Sequence, residues 1–289
     1  MYIDRNGQKY YKVALHNHTT ISDGRRSPEE VAALYKANGY DAIAFTDHWH
    51  YGEGGELCSL LVISGCEYNI GGSDTRGDVM HIVGFGMKND PKLPRDASRQ
   101  TVIDGINEQG GIAVLAHPAW SVNTVADAKS LDGFAATEIF NSVSEWGQSL
   151  RAYSDHYVDA CANERLYYKI LATDDAHYYD CDECKGWVMV KADSLDSDAI
   201  VEAIKRGDSY ATQGPHLNAF MKDGKLMIET SPVELIAVLS NGAWLPERVC
   251  RGDGITEFEY TPKEIERWLR VEARDKDGKR AWSNIIVLK

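Results

Sequence analysis

The sequence has no apolar run close to the roughly 18 residues that a membrane-spanning helix requires, so we expect no membrane partner. Its first residues, MYIDRNGQKYYKV, do not combine a basic segment with an apolar one, as a secretory signal does. A cytoplasmic location is the expectation that follows.

Positive charge is also scarce in this chain. It has 31 Lys and Arg residues against 44 Asp and Glu, which gives a formal net charge of −13. Proteins that hold polymeric nucleic acid by its phosphates carry the opposite balance, so we expect no nucleic-acid partner. An anionic ligand would need a local positive centre in this acidic protein.

Cysteine is present but follows no framework. The six cysteines are scattered, and only Cys181 and Cys184, in CDEC, have the spacing of a metal or redox pair. A structural zinc site usually needs a second such pair nearby, and the sequence has none. We interpret these two residues as ordinary loop cysteines, with a metal or redox role as the alternative.

Apolar segments of strand length alternate with helical patterns over most of the chain, which predicts an α/β protein with parallel strands. The clearest helix is 27–39, where Ser27 is the N-cap, Glu30 completes a capping box and Gly39 ends the helix. Other helices are predicted over 99–111, 145–164 and 196–207. Seven strands are predicted, with a two-strand excursion through 71–79 into 80–86, and they cover 10–18, 41–48, 60–67, 112–118, 134–141, 167–177 and 186–192.

The pattern changes at about His216. Period-two stretches broken by KDGK, SNGAW and RGDG predict a small antiparallel β segment, with PKEIERW as its one expected helix. We therefore predict a main domain over residues 1–215 and a β-rich appendage over 216–289. A structural cap is preferred for the appendage over an independent binding module.

The nine histidines are unevenly placed, and six of them lie near the ends of predicted strands. In repeated strand–helix folds the carboxyl ends of the strands converge on one face, where active sites form. Each residue alone has an ordinary structural explanation, but a core histidine has no reason to follow strand ends. The imidazole and carboxylate residues expected at this face are His16, His18, Asp23, His48, Glu67, His81, His117, Asp175 and His177.

Such a cluster is retained mainly where divalent cations offset its desolvation and like-charge repulsion. Imidazole and carboxylate ligands without thiolate suit Zn, Mn or Fe, and a carboxylate such as Glu67 can bridge two ions. Two or three divalent ions would leave an excess of positive charge, which would attract a phosphate into an acidic protein.

The ordered motifs HNH, SDG, TDH, a strand-end Glu, AHP and a closing Asp-x-His resemble the polymerase-and-histidinol-phosphatase (PHP) domain of metal-dependent phosphoesterases. The resemblance covers about residues 11–215 and implies a distorted (β/α)7 barrel with up to three metals. The motif ATQGP and the appendage ending in AWSNIIV resemble the carbaryl-hydrolase-like (CehA/McbA) branch. The early motifs also resemble the branch that hydrolyses nucleotide phosphates.

The resemblance implies which residues would hold each ion. Asp175 is assigned from the Asp-x-His spacing, and Asp174 is the open alternative. The implied first site is His16, His18, Glu67 and Asp175; the second is Glu67, His81 and His117; the third is Asp23, His48 and His177.

The predicted function is hydrolysis of a small phosphorylated metabolite, a monoester or a cyclic diester, by a metal-bound hydroxide. No catalytic side chain beyond the metal ligands is assigned. Asn141, His216, His50 and Arg25 are candidate substrate contacts, although turn, cap or solvated roles explain each of them as well. The alternatives are a metal-dependent carbamate or carboxylic ester hydrolase and a non-catalytic metal-binding regulatory module. The sequence leaves the oligomeric state open.

Overall fold

The computed structural model describes residues 1–4, 7–71 and 78–288. The predicted excursion through residues 71–79 lies mostly outside this range. The strands in the described residues are β1 (Tyr2–Ile3), β2 (Lys9–Ala14), β3 (Ala42–Ala44), β4 (Gly55–Leu57), β5 (Leu60–Ile63), β6 (Gly65–Ile70), β7 (Met80–Phe85), β8 (Ile112–Leu115), β9 (Ala136–Asn141), β10 (Lys169–Thr173), β11 (Trp187–Lys191), β12 (Ser209–Thr212), β13 (Leu217–Lys222), β14 (Lys225–Ser240), β15 (Val249–Tyr260), β16 (Trp268–Arg274), β17 (Arg280–Ser283) and β18 (Ile286–Val287).

The helices of the described chain are short, and none has the length and apolar character needed to cross a bilayer. The capping box predicted for the first helix is present: the Ser27 hydroxyl accepts from the Glu30 N–H, and the Glu30 carboxylate accepts from the Ser27 N–H. The helices are α1 (Pro28–Ala37), α2 (Arg99–Glu108), α3 (Val125–Lys129), a π-helix (Ser144–Ser149), α4 (Asp155–Asn163) and α5 (Ser197–Arg206).

Two helix predictions are wrong. The single helix expected over 145–164 is divided into the π-helix and α4, because Leu150 takes a left-handed φ of 58° and ends the first of them. The segment PKEIERW forms a turn that leads into β16 and contains no helix.

The strands form two sheets. The larger sheet has thirteen strands, in the order β13-β14-β16-β17-β12-β11-β2-β3-β5-β4, with β1, β15 and β18 paired at its sides. The smaller sheet has five strands in the order β10-β9-β8-β7-β6. In the larger sheet β2, β3 and β5 are parallel, and in the smaller one β8, β9 and β10 are parallel.

The predicted mixed α/β class is confirmed, but the described residues do not show a closed (β/α)7 barrel. The hairpin β4–β5 and the antiparallel pair β6–β7 lie where strict alternation would require crossover helices. Strand β11 is also antiparallel to its neighbour β2. The sequence pattern missed this because an apolar strand between glycine turns looks the same in a hairpin as in a parallel unit.

A large apolar core joins the two sheets. Val13 of β2, Ile63 of β5, Val114 of β8 and Leu171 of β10 belong to one buried cluster, which also includes residues of α5. Because both faces of these strands are covered, their sequences are nearly continuous apolar runs. The core therefore holds the carboxyl ends of the parallel strands in fixed positions, and the loops after them carry the polar residues described next.

Candidate metal centre

The two histidines of the HNH motif lie just beyond the end of β2. Asn17, between them, forms a parallel bridge with Ala176 in the loop after β10. The His18 N–H donates to the Ala176 carbonyl, and the Asp175 N–H donates to the His16 carbonyl. These hydrogen bonds place the loops after β2 and β10 side by side, so residues about 160 positions apart share one wall.

Four buried side chains form the first group of possible ligands. Nε2 of His16 lies 3.1 Å from Oδ1 of Asp175 and 3.3 Å from Oε2 of Glu67. Nε2 of His18 lies 3.1 Å and 3.0 Å from the same two oxygens. The four ligand atoms lie within 4.8 Å of one another, which is the spacing that a single cation can occupy.

Glu67 also faces a second group. Its other oxygen, Oε1, lies 2.9 Å from Nδ1 of His81 and 3.3 Å from Nε2 of His117. A parallel bridge between Glu67 and His48 positions this glutamate at the junction of the two sheets. The carboxylate is thus placed to be shared between two cations.

A third group lies nearer the surface. Asp23 Oδ1 is 3.6 Å from Nε2 of His177, and Asp23 Oδ2 is 3.6 Å from Nε2 of His48. Nδ1 of His18 lies 3.5 Å from Asp23 as well. The Asp23 side chain is 53% exposed, so this group opens to solvent while the first two are enclosed.

Two buried carboxylate oxygens of the cluster show that the donor set fits divalent cations. Oε2 of Glu67 and Oδ1 of Asp175 are buried and make no hydrogen bond, although imidazole nitrogens surround them at about van der Waals distance. Buried carboxylate oxygens are normally hydrogen-bonded, so two such atoms aimed at one point are costly unless a cation lies between them and the nitrogens.

The electrostatics of the cluster lead to the same conclusion. Burial lowers the pKa of His16, but Asp175, Glu67 and Glu138 outweigh it and raise that pKa well above its ordinary value. Burial raises the pKa of Glu67, but His16, His81 and His48 hold it well below the usual range. In the metal-free chain, a proton on His16 therefore balances part of the carboxylate charge that a cation would otherwise balance.

Two of these residues have unusual backbone conformations. His117 has a φ of 28° and Asp175 a φ of 52°, both in the left-handed region that side chains other than glycine rarely adopt. The N–H of His117 is held by Glu138, and the N–H of Asp175 by His16. Strain of this kind persists where the surroundings impose it, and it concentrates at functional sites.

An open cavity with space of about 280 Å³ covers the three groups. Beside the possible ligands, its lining includes Trp120, Gln148 and Tyr178, which the sequence analysis missed. Trp120 packs edge-on against His117, with ring centroids 4.9 Å apart. Gln148 belongs to the π-helix, which was predicted as ordinary helix, so no pattern marked it as part of the site.

The four candidate substrate contacts lie in different parts of the structure. Asn141 is buried and donates to Glu138 and Asp175, so it supports the cluster from behind. His216 bonds to the Tyr210 hydroxyl and lines another cavity, beside the start of β2 and away from the cluster.

His50 and Arg25 are both exposed and do not line the cavity over the cluster. The Arg25 guanidinium lies 4.6 Å from the ring of Tyr178, which places it at the rim of that cavity. His50 follows the turn after His48, where its N–H donates to the Asp47 carbonyl.

Known proteins resemble this chain in sequence over part of its length and in fold over all of it. No family model matches the chain. An uncharacterized protein of Methanocaldococcus jannaschii is 28% identical over 145 residues, which cover 45% of this chain and 82% of that protein.

Among solved structures, the chain is similar to a two-domain protein from Bacteroides vulgatus, described as containing a predicted PHP-like metal-dependent phosphoesterase. The TM-score is 0.57 at 14% identity, and the match covers 100% of this chain and 97% of the other. An amidohydrolase from Chromobacterium violaceum matches with a TM-score of 0.40 at 16% identity, over 58% of this chain and 88% of that one. The Bacteroides likeness shows a shared fold over the whole length of the chain.

Proposed function

We propose that the chain is a metal-dependent hydrolase of the PHP family that cleaves the phosphate ester of a small metabolite, a monoester or a cyclic diester. One observation carries this proposal. Three groups of imidazole and carboxylate atoms, two of them sharing Glu67, meet beneath a single open cavity. The likeness to the PHP-like Bacteroides structure supports the choice of family, and the distorted barrel and the division at residue 215 belong to the same proposal.

The proposed ligand sets follow the three groups. Since one imidazole nitrogen serves one ion, the Nε2 atom of His18 is assigned to the first site. When bound, divalent ions such as Mn, Zn or Fe activate water and neutralise charge on the phosphoryl oxygens. The proposed first site is His16, His18, Glu67 and Asp175; the second is Glu67, His81 and His117; the third is Asp23, His48 and His177.

The charge of the cavity supports a phosphate substrate only with cations in place. Among the described residues that line it there is no Lys or Arg, while Asp23, Glu67 and Asp175 contribute three carboxylates. No Lys or Arg among the described residues of this lining could pair with a phosphate group, whereas cations held by the ligand groups would supply positive charge there. The preference for phosphate is therefore assigned to the metals, and Arg25 lies beside Tyr178 of the cavity lining.

The remaining lining residues would position the rest of the substrate. Trp120 and Tyr178 offer apolar ring surfaces, and Gln148 offers an amide that can donate and accept hydrogen bonds. A cavity with space of about 280 Å³ accommodates a small molecule, which favours a metabolite over a polymer.

The test is a substrate screen on protein reloaded with Mn, Zn or Fe after chelation. Phosphomonoesters, cyclic phosphodiesters, aryl carbamates and carboxylic esters are assayed side by side, with the Asp175→Asn variant as the control for each activity. We expect metal-dependent release of phosphate or opening of a cyclic diester, and loss of both in the variant. Turnover of carbamates alone would replace the proposal with a metal-dependent carbamate or carboxylic ester hydrolase, as the resemblance to the CehA/McbA branch implies. Metal binding without any turnover would favour a non-catalytic module.

A further inference from the structure

Glu138 lies behind the cluster and contacts residues of two ligand groups. Its side chain is 1% exposed in the middle of β9, a buried strand whose other polar residues are Thr137 and Asn141. Its Oε1 atom lies 2.7 Å from Nδ1 of His16, and its Oε2 atom accepts from the N–H of His117 at 2.8 Å. Glu138 belongs to none of the three groups that could hold an ion.

We propose that Glu138 is a positioning residue that orients His16 and His117 for two different cations and thereby couples the loading of the two sites. The inference rests on the proposed metal centre, because it concerns how the chain's residues prepare for the ions. It adds a residue that makes no contact with metal or substrate.

The contact with His16 fixes which ring nitrogen faces inward. An ionised carboxylate only accepts hydrogen bonds, so the proton must be on Nδ1 of His16. In the singly protonated ring that a cation binds, Nε2 then carries the lone pair, and this atom is the one that lies 3.1 Å from Asp175 and 3.3 Å from Glu67. Carboxylate partners of this kind orient metal-binding histidines and increase their basicity.

The contact with His117 acts on the backbone instead. The left-handed φ of 28° at His117 is unfavourable for a residue with a β-carbon, and the hydrogen bond to Glu138 restrains the N–H of that residue. The ring is held at its other end by Ser121, whose hydroxyl lies 3.1 Å from Nδ1. With both restraints in place, Nε2 of His117 points towards Glu67.

Asn141 extends the connection to a third residue. Its amide donates 2.9 Å to Oε2 of Glu138 and 3.2 Å to Oδ2 of Asp175. One carboxylate is thus linked to His16 and Asp175 of the first group and to His117 of the second. Loading of either ion stiffens a network that the other ion also uses.

A glutamine in place of Glu138 cannot reproduce this network in either orientation of its amide. With the amide NH2 towards His16, the inward nitrogen Nε2 would have to carry the proton. With the amide oxygen towards His16, the NH2 group would face two donors, the His117 N–H and the Asn141 amide. The Glu138→Gln variant therefore changes hydrogen bonding while preserving side-chain volume.

The experiment compares E138Q with wild type and with the matched control E266Q. Glu266 is another fully buried glutamate, which accepts from the Tyr260 hydroxyl and the Lys263 N–H, outside the three ligand groups. Binding of Co²⁺ and Zn²⁺ is measured by competition with a chelator, and the Co²⁺ absorption spectrum reports ligand geometry. Circular dichroism verifies that each variant is folded.

We expect E138Q to bind metal about 10–100-fold more weakly at two sites and to alter the Co²⁺ spectrum, while E266Q matches wild type in both. If E138Q does not fold, the same metal-binding measurements on E138D test the proposal. This variant keeps the charge but is too short for both contacts, so we expect a loss of affinity there too. Wild-type metal affinity in E138Q or E138D, or weakening at one site alone, would overturn the proposal.

These readouts need no substrate. A chain that binds metal tightly but hydrolyses no phosphate ester would refute the proposed function and leave the role of Glu138 to be decided by the affinities. A wild-type chain without metal affinity would refute both.

Discussion

Asp174 and Asp175 are neighbours in the chain, yet their carboxylates lie in different environments. Asp175 Oδ1 is 3.1 Å from Nε2 of both His16 and His18. Asp174 points the other way and accepts from the three successive N–H groups of residues 184–186 at 2.7–2.8 Å. The two aspartates of TDDAH therefore have different roles. Asp175 faces the cluster, and Asp174 holds the CDEC loop against the sheet.

The first prediction separates these roles. Asp174→Asn removes one acceptor from a buried set of donors, so we expect a loss of about 1–3 kcal/mol of unfolding free energy with metal content retained. Asp175→Asn removes a proposed ligand, so we expect metal content to fall. Urea denaturation and elemental analysis of both variants test this pair. Equal metal loss in the two would contradict it.

The second prediction concerns Glu67, which faces two groups at once. Glu67→Gln should weaken the binding of two ions, because each oxygen of Glu67 faces a different set of imidazoles. His81→Gln changes a residue of the second group alone, so it should weaken the binding of one ion. Metal stoichiometry after dialysis against a weak chelator distinguishes the two variants. Loss of a single ion in Glu67→Gln would show that the carboxylate is not shared.

The third prediction is a divergence between metal-loaded and metal-free protein with pH. The pKa values of His16 and His18 are raised in the folded chain, so their stabilising contribution is complete below the unfolded value of 6.5 and is lost as pH rises through the folded values. Metal binding has the opposite dependence, because cations need deprotonated imidazoles. The difference in Tm between loaded and metal-free protein should therefore increase from about pH 6 to about pH 9.

The acidic side of the same profile follows from the carboxylates. The pKa values of Glu67 and Asp175 are lowered by neighbouring imidazoles against the effect of burial. Their contribution is present above their unfolded values, and it is lost as pH falls through the folded ones. Calorimetric scans across this pH series check both sides. A constant Tm difference would contradict the linkage.

The fourth prediction concerns the link between β16 and α4. Arg270 is fully buried and forms a two-pronged ion pair with Asp159, with N–O distances of 2.8 Å and 2.9 Å. Asp159→Ala leaves the Arg270 guanidinium buried with only part of its partners. We therefore expect the free energy of unfolding to fall by about 3–5 kcal/mol. The double variant Arg270→Met/Asp159→Leu should recover much of this, since no buried charge remains. Urea unfolding of the singles and the double forms the test.

The fifth prediction concerns Gly24, which follows Asp23. A β-carbon at Gly24 would lie 2.5 Å from the carbonyl oxygen of His18. Gly24→Ala must therefore displace the loop that carries His18 and Asp23. We expect weaker metal binding at the exposed third group. Gly252→Ala, where the nearest atom is 3.6 Å away, is the matched control and should bind metal normally. Unchanged stoichiometry in Gly24→Ala would show that the loop adapts.

The sequence predicted best what depends on local chemistry. Helix α1 is present with its cap because the Ser27 and Glu30 signals act within one turn. Seven of the nine predicted ligand residues follow a strand, whereas Glu67 and His81 lie within β6 and β7, and the structure brings all nine of them together beneath one cavity.

Non-local features were beyond the sequence patterns. The antiparallel pairing of β6, β7 and β8 depends on which distant apolar strands meet, and that choice leaves no local signature. Glu138 was overlooked although a carboxylate inside an apolar strand is costly and therefore a usable signal. Asn141 was recognised as polar at a strand end, but only its neighbours in space show that it faces Glu138 and not the cavity.

The pairing of β12 with β17 has a consequence for synthesis on the ribosome. β12 hydrogen-bonds through Tyr210, Ala211 and Thr212 to residues 281–283. Asn284, just beyond, accepts from the Ile170 N–H and donates to the carbonyl of Gly207. In a nascent chain stopped at residue 215, β12 would be an unpaired edge of the sheet whose strand β2 leads into the HNH motif, and such edges recruit other chains. Completion of this side of the sheet therefore waits for translation to pass residue 284.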